Sequence, residues 1–176
     1  MPKVISSSKS QFSKPIFFTI AALVLASDQL TKLWVRSSLG LGESSPEAGF
    51  FRIKYVQNTG GAFGIFEDGT FILAIVNLIG AAVILYLIFN TSKFPLLVDR
   101  KIQFFLSLIL GGSLGNMLDR FFLGYVTDFI AVGSWPPFNI ADSAVVSGTF
   151  LLAFFLILYV LSSKNKDDKE TETDRR

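Results

Sequence analysis

Two aspartates in the last third of the chain, Asp128 in "YVTDFI" and Asp142 in "FNIADSA", are the residues on which chemistry is most readily built. Thirteen residues separate them, and Pro136 and Pro137 break any regular run that would hold them apart. Two carboxyls brought together can share one proton, one taking a proton from water while the other donates to a carbonyl or a leaving group. Each also has a plainer structural reading. Asp128 stands among Val126, Phe129 and Ile130, an apolar loop in which a lone ionised carboxylate is poorly solvated. Asn139 and Asp142 have the spacing of an N-cap and a third helical position, a variant of the capping box favoured by the helix dipole. If the two aspartates form a dyad, Asp142 at the helix start is expected to hold the negative charge and Asp128 the proton.

Other polar residues occupy apolar surroundings, where an ionised group at a helix centre costs about 2.5–3.5 kcal/mol. Asp28 and Lys32 are four apart, hence on one helical face, and an interfacial ion pair is their plainer role. In "GGSLGNMLDRFF", Gly112, Asn116 and Arg120 follow at i, i+4 and i+8, with Gly115 and Asp119 beside them. A close helix contact from Gly111 to Gly115, with Arg120 reaching to headgroups, accounts for the glycines. It does not account for Asn and Arg in succession, which suggest a lined cavity. Asn58 leads "NTGGAFGIF", where three glycines fall within five positions and the backbone must turn tightly or admit a close neighbour.

These groups belong to an apolar chain. Of its 176 residues 51% are hydrophobic and 19 are Phe, and the mean hydropathy is positive, which places it among membrane proteins without a large soluble domain. A net charge of +2, with basic residues scattered between apolar runs, gives no nucleic-acid footprint. The absence of Cys and His excludes disulfides, thiol nucleophiles, Ser-His-Asp triads and zinc sites built on imidazole or thiolate. Catalysis must rest on carboxylates, hydroxyls, Lys or Arg.

The elements that would position them are four apolar runs, Pro15–Val35, Phe71–Phe89, Ile102–Leu118 and Ile140–Leu161, each long enough to cross a hydrocarbon core of about 30 Å as a helix. The N-terminal tail, the connection after the second run and the C-terminal tail hold 11 of the 16 Lys and Arg. Both termini are therefore expected in the cytoplasm, with loops of about 36–70 and 119–139 outside. The basic start followed by "IFFTIAALVLAS" resembles a signal peptide, but a second apolar span follows and the segment reads as a retained anchor. "FFRIKYVQ" alternates apolar and polar residues as a short strand does, with Val56 out of step. Residues 1–162 are expected to form one domain, and the mixed-charge segment 163–176 a disordered cytoplasmic tail.

"SDQLTK", "NTGGAFGIF", "GGSLGNMLDRFFLGYVTDFI" and "FNIADSAVVSG", in this order and separated by hydrophobic spans, resemble the lipoprotein signal peptidase (signal peptidase II) family of bacteria over roughly residues 20–150. The resemblance implies an all-α membrane protein of four transmembrane helices with a small extracytoplasmic β-cradle. It implies an aspartic endopeptidase that cuts a prolipoprotein before a diacylglyceryl-modified cysteine, without metal or cofactor. Asp128 and Asp142 match the family's catalytic dyad. Asp28, Lys32, Asn58, Gly112, Asn116, Arg120 and Asn139 match the polar set that binds substrate or orients the site. The implied enzyme is a monomer of the bacterial cytoplasmic (inner) membrane that meets its lipidated substrate and membrane lipid at the outer face. Members often carry Ala where Gly61 stands, a change that loosens the turn here.

Two other readings make different demands. A small transporter needs polar residues at mid-membrane depth, whereas these cluster at one end of their spans and Asn77 is the main exception. A structural adaptor explains packing glycines but not two aspartates with neighbouring Asn and Arg. Rhomboid-type proteolysis lacks its His here, and presenilin-like proteolysis its Gly-x-Gly-Asp.

Overall fold

The computed structural model describes residues 14–60 and 69–173, from 163 onward as backbone only. The basic residues Lys3 and Lys9, residues 61–68 with Gly61 and Gly64 of the glycine turn, and residues 174–176 lie outside the described residues. Four helices are long and apolar enough to cross a membrane: α1 (Lys14–Ser38), α2 (Thr70–Phe89), α3 (Arg100–Leu123) and the first part of α4 (Ile140–Thr173), apolar to Ser162. Three strands, β1 (Ser44–Ser45), β2 (Phe51–Asn58) and β3 (Val126–Val132), form an antiparallel sheet in the order β1-β2-β3.

Local chemistry accounts for the helix ends. Asp99 caps α3 by accepting the Lys101 N–H at 2.7 Å. Gly124 ends it in the left-handed region, φ 79°, with its N–H on the Arg120 carbonyl. The helix therefore runs five residues beyond the expected Leu118, and Asp119 and Arg120 are helical rather than the start of a loop. Hydropathy falls at those charges, but the backbone has no reason to stop before the glycine. Asp128, expected in a loop, lies within β3. The backbone of α4 continues to Thr173, where a disordered tail was expected. A helix already nucleated by the span propagates at little cost through residues without Gly or Pro.

α3 is the central element, packed against α1, α2 and α4. At one end of the bundle Phe17, Ala21, Ala81, Ile84, Ile88, Ile102, Leu106 and Leu110 form a buried apolar core. At the other end the sheet closes over the helices, with Tyr55 and Phe129 against Val35. Large side chains on the outer faces, such as Leu23 and Leu30 of α1 and Phe150 and Phe154 of α4, are exposed, as suits helices solvated by lipid.

β2 forms where the sequence suggests, but burial does not follow the expected alternation, since Phe51 is exposed and Tyr55 alone is buried; the pairing with β3 shifts register between Ile53 and Val56, where the pattern falls out of step. Val56 opposes Asp128 and Asn58 opposes Val126, which sets Asn58 diagonal to Asp128. After β3 the chain doubles back: the Phe138 carbonyl accepts the N–H groups of Phe129 and Ile130, and the Phe138 N–H returns to Ile130. That reversal delivers Asn139 and the start of α4 beside Asp128.

Candidate active site

The polar residues singled out in the sequence gather at the sheet end of the bundle in two layers. In the inner one, Lys32 of α1 is wholly buried. Its Nζ lies 2.8 Å from Asp28 Oδ2 and 3.2 Å from Asp119 Oδ2, and donates to Asn116 Oδ1 at 2.8 Å. Three acceptors thus meet the three N–H donors of an ammonium that would otherwise cost several kcal/mol to bury. Arg36 lies 3.7 Å from Asp119, so two cations face two carboxylates. Asp28 uses its other oxygen to accept the Ala141 N–H at 2.9 Å, serving a free donor in the first turn of α4 from a different helix.

The outer layer holds the two candidate catalytic carboxyls. Because Asn116 Oδ1 faces the Lys32 ammonium, its Nδ2 faces outward and donates to Asp142 Oδ1 at 2.7 Å. Asn139 donates from Nδ2 to Asp128 Oδ1 at 2.7 Å and to Asn116 Oδ1 at 3.1 Å. Asn58 Nδ2 donates to Asp128 Oδ2 at 2.9 Å, its own oxygen being held by the Gly60 N–H at 3.0 Å. The capping box is present and reciprocal: Asp142 N–H donates to Asn139 Oδ1 at 2.8 Å and Asn139 N–H to Asp142 Oδ2 at 3.2 Å. One residue, Asn139, therefore contacts both carboxyls.

Asp128 is buried and Asp142 half-buried. Burial first, and the charge of Asp142 second, push the Asp128 carboxyl up from 3.8 to about 7, against the hydrogen bonds from Asn58 and Asn139 and the charge of Lys32. A carboxyl that exchanges its proton near neutrality beside a second carboxylate is equipped for general acid and base work. Arg120 reaches the same region. Its Nη2 donates to the Gly60 carbonyl at 3.3 Å, and its buried Nε has no hydrogen-bond partner among the described residues.

The glycines explain how the helices come so close. A Cβ at Gly112 would collide with the Ala141 carbonyl, and one at Gly115 would stand 2.5 Å from Asp28 Oδ2. Gly112 thus seats the first turn of α4, the turn that carries Asp142.

The profile of the family described as "Signal peptidase (SPase) II" matches residues 20–158. The chain belongs to the signal peptidase II family. It is 42% identical over 153 residues to a lipoprotein signal peptidase of Dehalococcoides mccartyi (strain ATCC BAA-2100 / JCM 16839 / KCTC 5957 / BAV1), covering 87% of this chain and 94% of that one. To the lipoprotein signal peptidase of Moorella thermoacetica (strain ATCC 39073 / JCM 9320) it is 40% identical over 144 residues, 81% and 93% of the two chains. Among solved structures, a bacterial membrane enzyme obtained by the in meso method superposes with a TM-score of 0.75 at 28% identity, covering 89% of this chain and 94% of that one.

In this member of the family the sequence reading omitted three participants, Gln29, Arg36 and Thr127, and named Asp119 only as a neighbour on the Asn116 and Arg120 face. Gln29 Nε2 bridges Asp28, Asp119 and the Gly115 carbonyl. Asp119 Oδ2 accepts the Thr127 N–H at 2.9 Å, and Arg36 Nη1 donates to Thr127 Oγ1 at 2.9 Å. The spacing held a signal for Arg36 and Asp119. Arg36 extends the Asp28 and Lys32 face by four residues, and Asp119 stands three after Asn116.

Proposed function

We propose that the chain is a membrane aspartic endopeptidase that removes signal peptides from prolipoproteins, with Asp128 and Asp142 as the catalytic pair. The observation that carries this reading is Asn139, whose side chain holds Asp128 while its backbone N–H holds Asp142. Asp142, ionised, takes a proton from a water as that water's oxygen attacks the scissile carbonyl. Asp128, neutral, donates its proton to the carbonyl oxygen. Collapse of the tetrahedral diol breaks the C–N bond as the proton held by Asp142 passes to the leaving amine and one hydroxyl returns a proton to Asp128, which leaves a carboxyl product and restores both aspartates.

The substrate is a prolipoprotein whose cysteine already carries diacylglycerol. Its acyl chains remain in the bilayer while the bond before that cysteine reaches the pair between the helix ends. Arg120, whose guanidinium donates to the Gly60 carbonyl and whose charge faces Asp128 and Asp142, binds substrate carbonyl or headgroup oxygens. Asn58, Asn116 and Asn139 orient the carboxyls, and Asp28 and Lys32 hold the helix ends beneath them. On this reading the enzyme is a monomer with both termini in the cytoplasm and the pair toward the outer face, an orientation that the excess of Lys and Arg in the tails and the α2–α3 connection supports.

The test is cleavage of a diacylglyceryl-modified prolipoprotein by purified protein, beside the unlipidated precursor and the Asp128→Asn and Asp142→Asn variants. Cleavage of the lipidated form alone, lost in both variants, is expected. Processing by either variant refutes the dyad, and equal cleavage of both precursors refutes the lipid requirement.

A further inference from the structure

Thr127, the residue before Asp128, is fully buried in β3, and three of its polar groups are taken by three different helices. Its N–H donates to Asp119 Oδ2 of α3 at 2.9 Å. Its Oγ1 accepts from Arg36 Nη1 of α1 at 2.9 Å. Its carbonyl accepts from Asn139 Nδ2, at the start of α4, at 3.4 Å. Asp119 and Arg36 are themselves 3.7 Å apart, so the threonine sits in a clasp of opposite charges. Packing alone does not ask for this, because valine fills the same volume and suits a strand as well.

Neighbouring strand residues point to opposite faces, so fixing Thr127 against the helix ends fixes the rotation of β3 and with it the direction of Asp128. The ladder to β2 is regular only from Val56–Asp128 to Asn58–Val126 and shifts register just beyond Asp128, between Val56 and Ile53, so the bonds from α1 and α3 tie this short regular stretch to the helices. We propose that Thr127 is a positioning residue, which through its bonds to Arg36 and Asp119 aims Asp128 at the reacting carbonyl. This rests on Asp128 being catalytic, as above. Thr127 itself touches neither substrate nor the reacting atoms. The charged groups around Asp128 are Asp142 on α4, Lys32 on α1 and Arg120 on α3, and none of them contacts the Thr127 hydroxyl in place of Arg36.

The experiment compares Thr127→Val with Thr127→Ser in the full-length protein, with Asp128→Asn as the inactive control. Thr127→Val keeps shape and backbone bonds but removes the acceptor for Arg36; Thr127→Ser retains it. A misaimed carboxyl lowers kcat roughly 10- to 100-fold in the valine variant with KM unchanged, and the serine variant recovers most of it. The second readout is the carbon NMR titration of the Asp128 carboxyl, identified as the signal missing in Asp128→Asn. Its midpoint should fall in Thr127→Val as water reaches the loosened strand, and stay near the wild-type value in Thr127→Ser. Wild-type kcat and midpoint in the valine variant overturn the proposal. So does an equal loss in both variants with KM raised, which marks a packing defect. If the wild-type protein cleaves no prolipoprotein, the functional reading falls by itself and the titration alone decides whether Thr127 sets the surroundings of Asp128.

Discussion

Replacing Asp128 by Asn should change how stability depends on pH, by an amount that follows from its surroundings. An unfolded aspartate ionises near 3.8, whereas the folded Asp128 holds its proton to about 7 because of burial and the charge of Asp142. Between those values the unfolded chain gains free energy by releasing a proton that the folded chain keeps. The contribution of Asp128 is therefore fully present below about pH 4 and is lost as the pH rises to about 7, at roughly 1.4 kcal/mol per unit, or about 4 kcal/mol in all. The Asn variant has no such titration. It carries a fixed penalty instead: both oxygens of Asp128 accept N–H groups, from Asn58 and Asn139, and an amide offers only one acceptor to those two donors. That penalty, about 1–3 kcal/mol, does not vary with pH. Unfolding in mixed micelles by increasing SDS, followed for both proteins from about pH 4 to pH 7.5, separates the two effects. The variant is expected to gain about 4 kcal/mol relative to wild type across that window. A difference that stays constant within about 1 kcal/mol, or runs the other way, refutes the idea that buried Asp128 resists ionisation.

Other consequences can be measured on the same protein. If Asp128 must be protonated to donate to the carbonyl oxygen, kcat/KM falls above about pH 7, and a profile flat to pH 9 would remove that role. Gly112→Ala drives a Cβ into the Ala141 carbonyl and displaces the turn that carries Asn139 and Asp142; it should cost about 1–3 kcal/mol of stability and lower kcat, read by unfolding and by turnover. Arg120→Ala should raise KM for the lipidated substrate more than it lowers kcat, and unchanged constants would exclude it from binding.

The elements were legible to different degrees for physical reasons. The four spans follow from hydropathy alone, since a membrane helix must be apolar along its length. Their ends do not, because hydropathy stops at Asp119 whereas the helix continues to the glycine that can turn it. The capping box was readable because it is local, three residues apart on one helix. β3 was not, since "VTDFIAV" has no alternation: nearly every residue is buried on both faces, between the helix ends and β2. Asp128 was accordingly expected in a loop, and Thr127 was passed over, because a threonine in an apolar run carries no sign of the arginine 91 residues away that binds it.

The division of labour between helix and strand explains why the clasp falls where it does. Asn139 uses its backbone N–H and Oδ1 to cap α4 and its Nδ2 to hold Asp128, so capping and orientation draw on different atoms and do not compete. Asp142 inherits the rigidity of that turn, which its own helical bonds, Asn116 and the Asp28 carboxylate all reinforce. Asp128 has no such internal frame. It stands on a short strand bordered on one side by β2 and on the other by the isolated pairing of Ile130 with Phe138. A small rotation of that strand would alter the separation of the two carboxyls, whereas a shift of the α4 turn carries Asn139, and through it Asp128, along. The element that most needs outside bonds to hold its aim is thus β3, and the bonds from α1 and α3 converge on the residue adjoining its carboxyl.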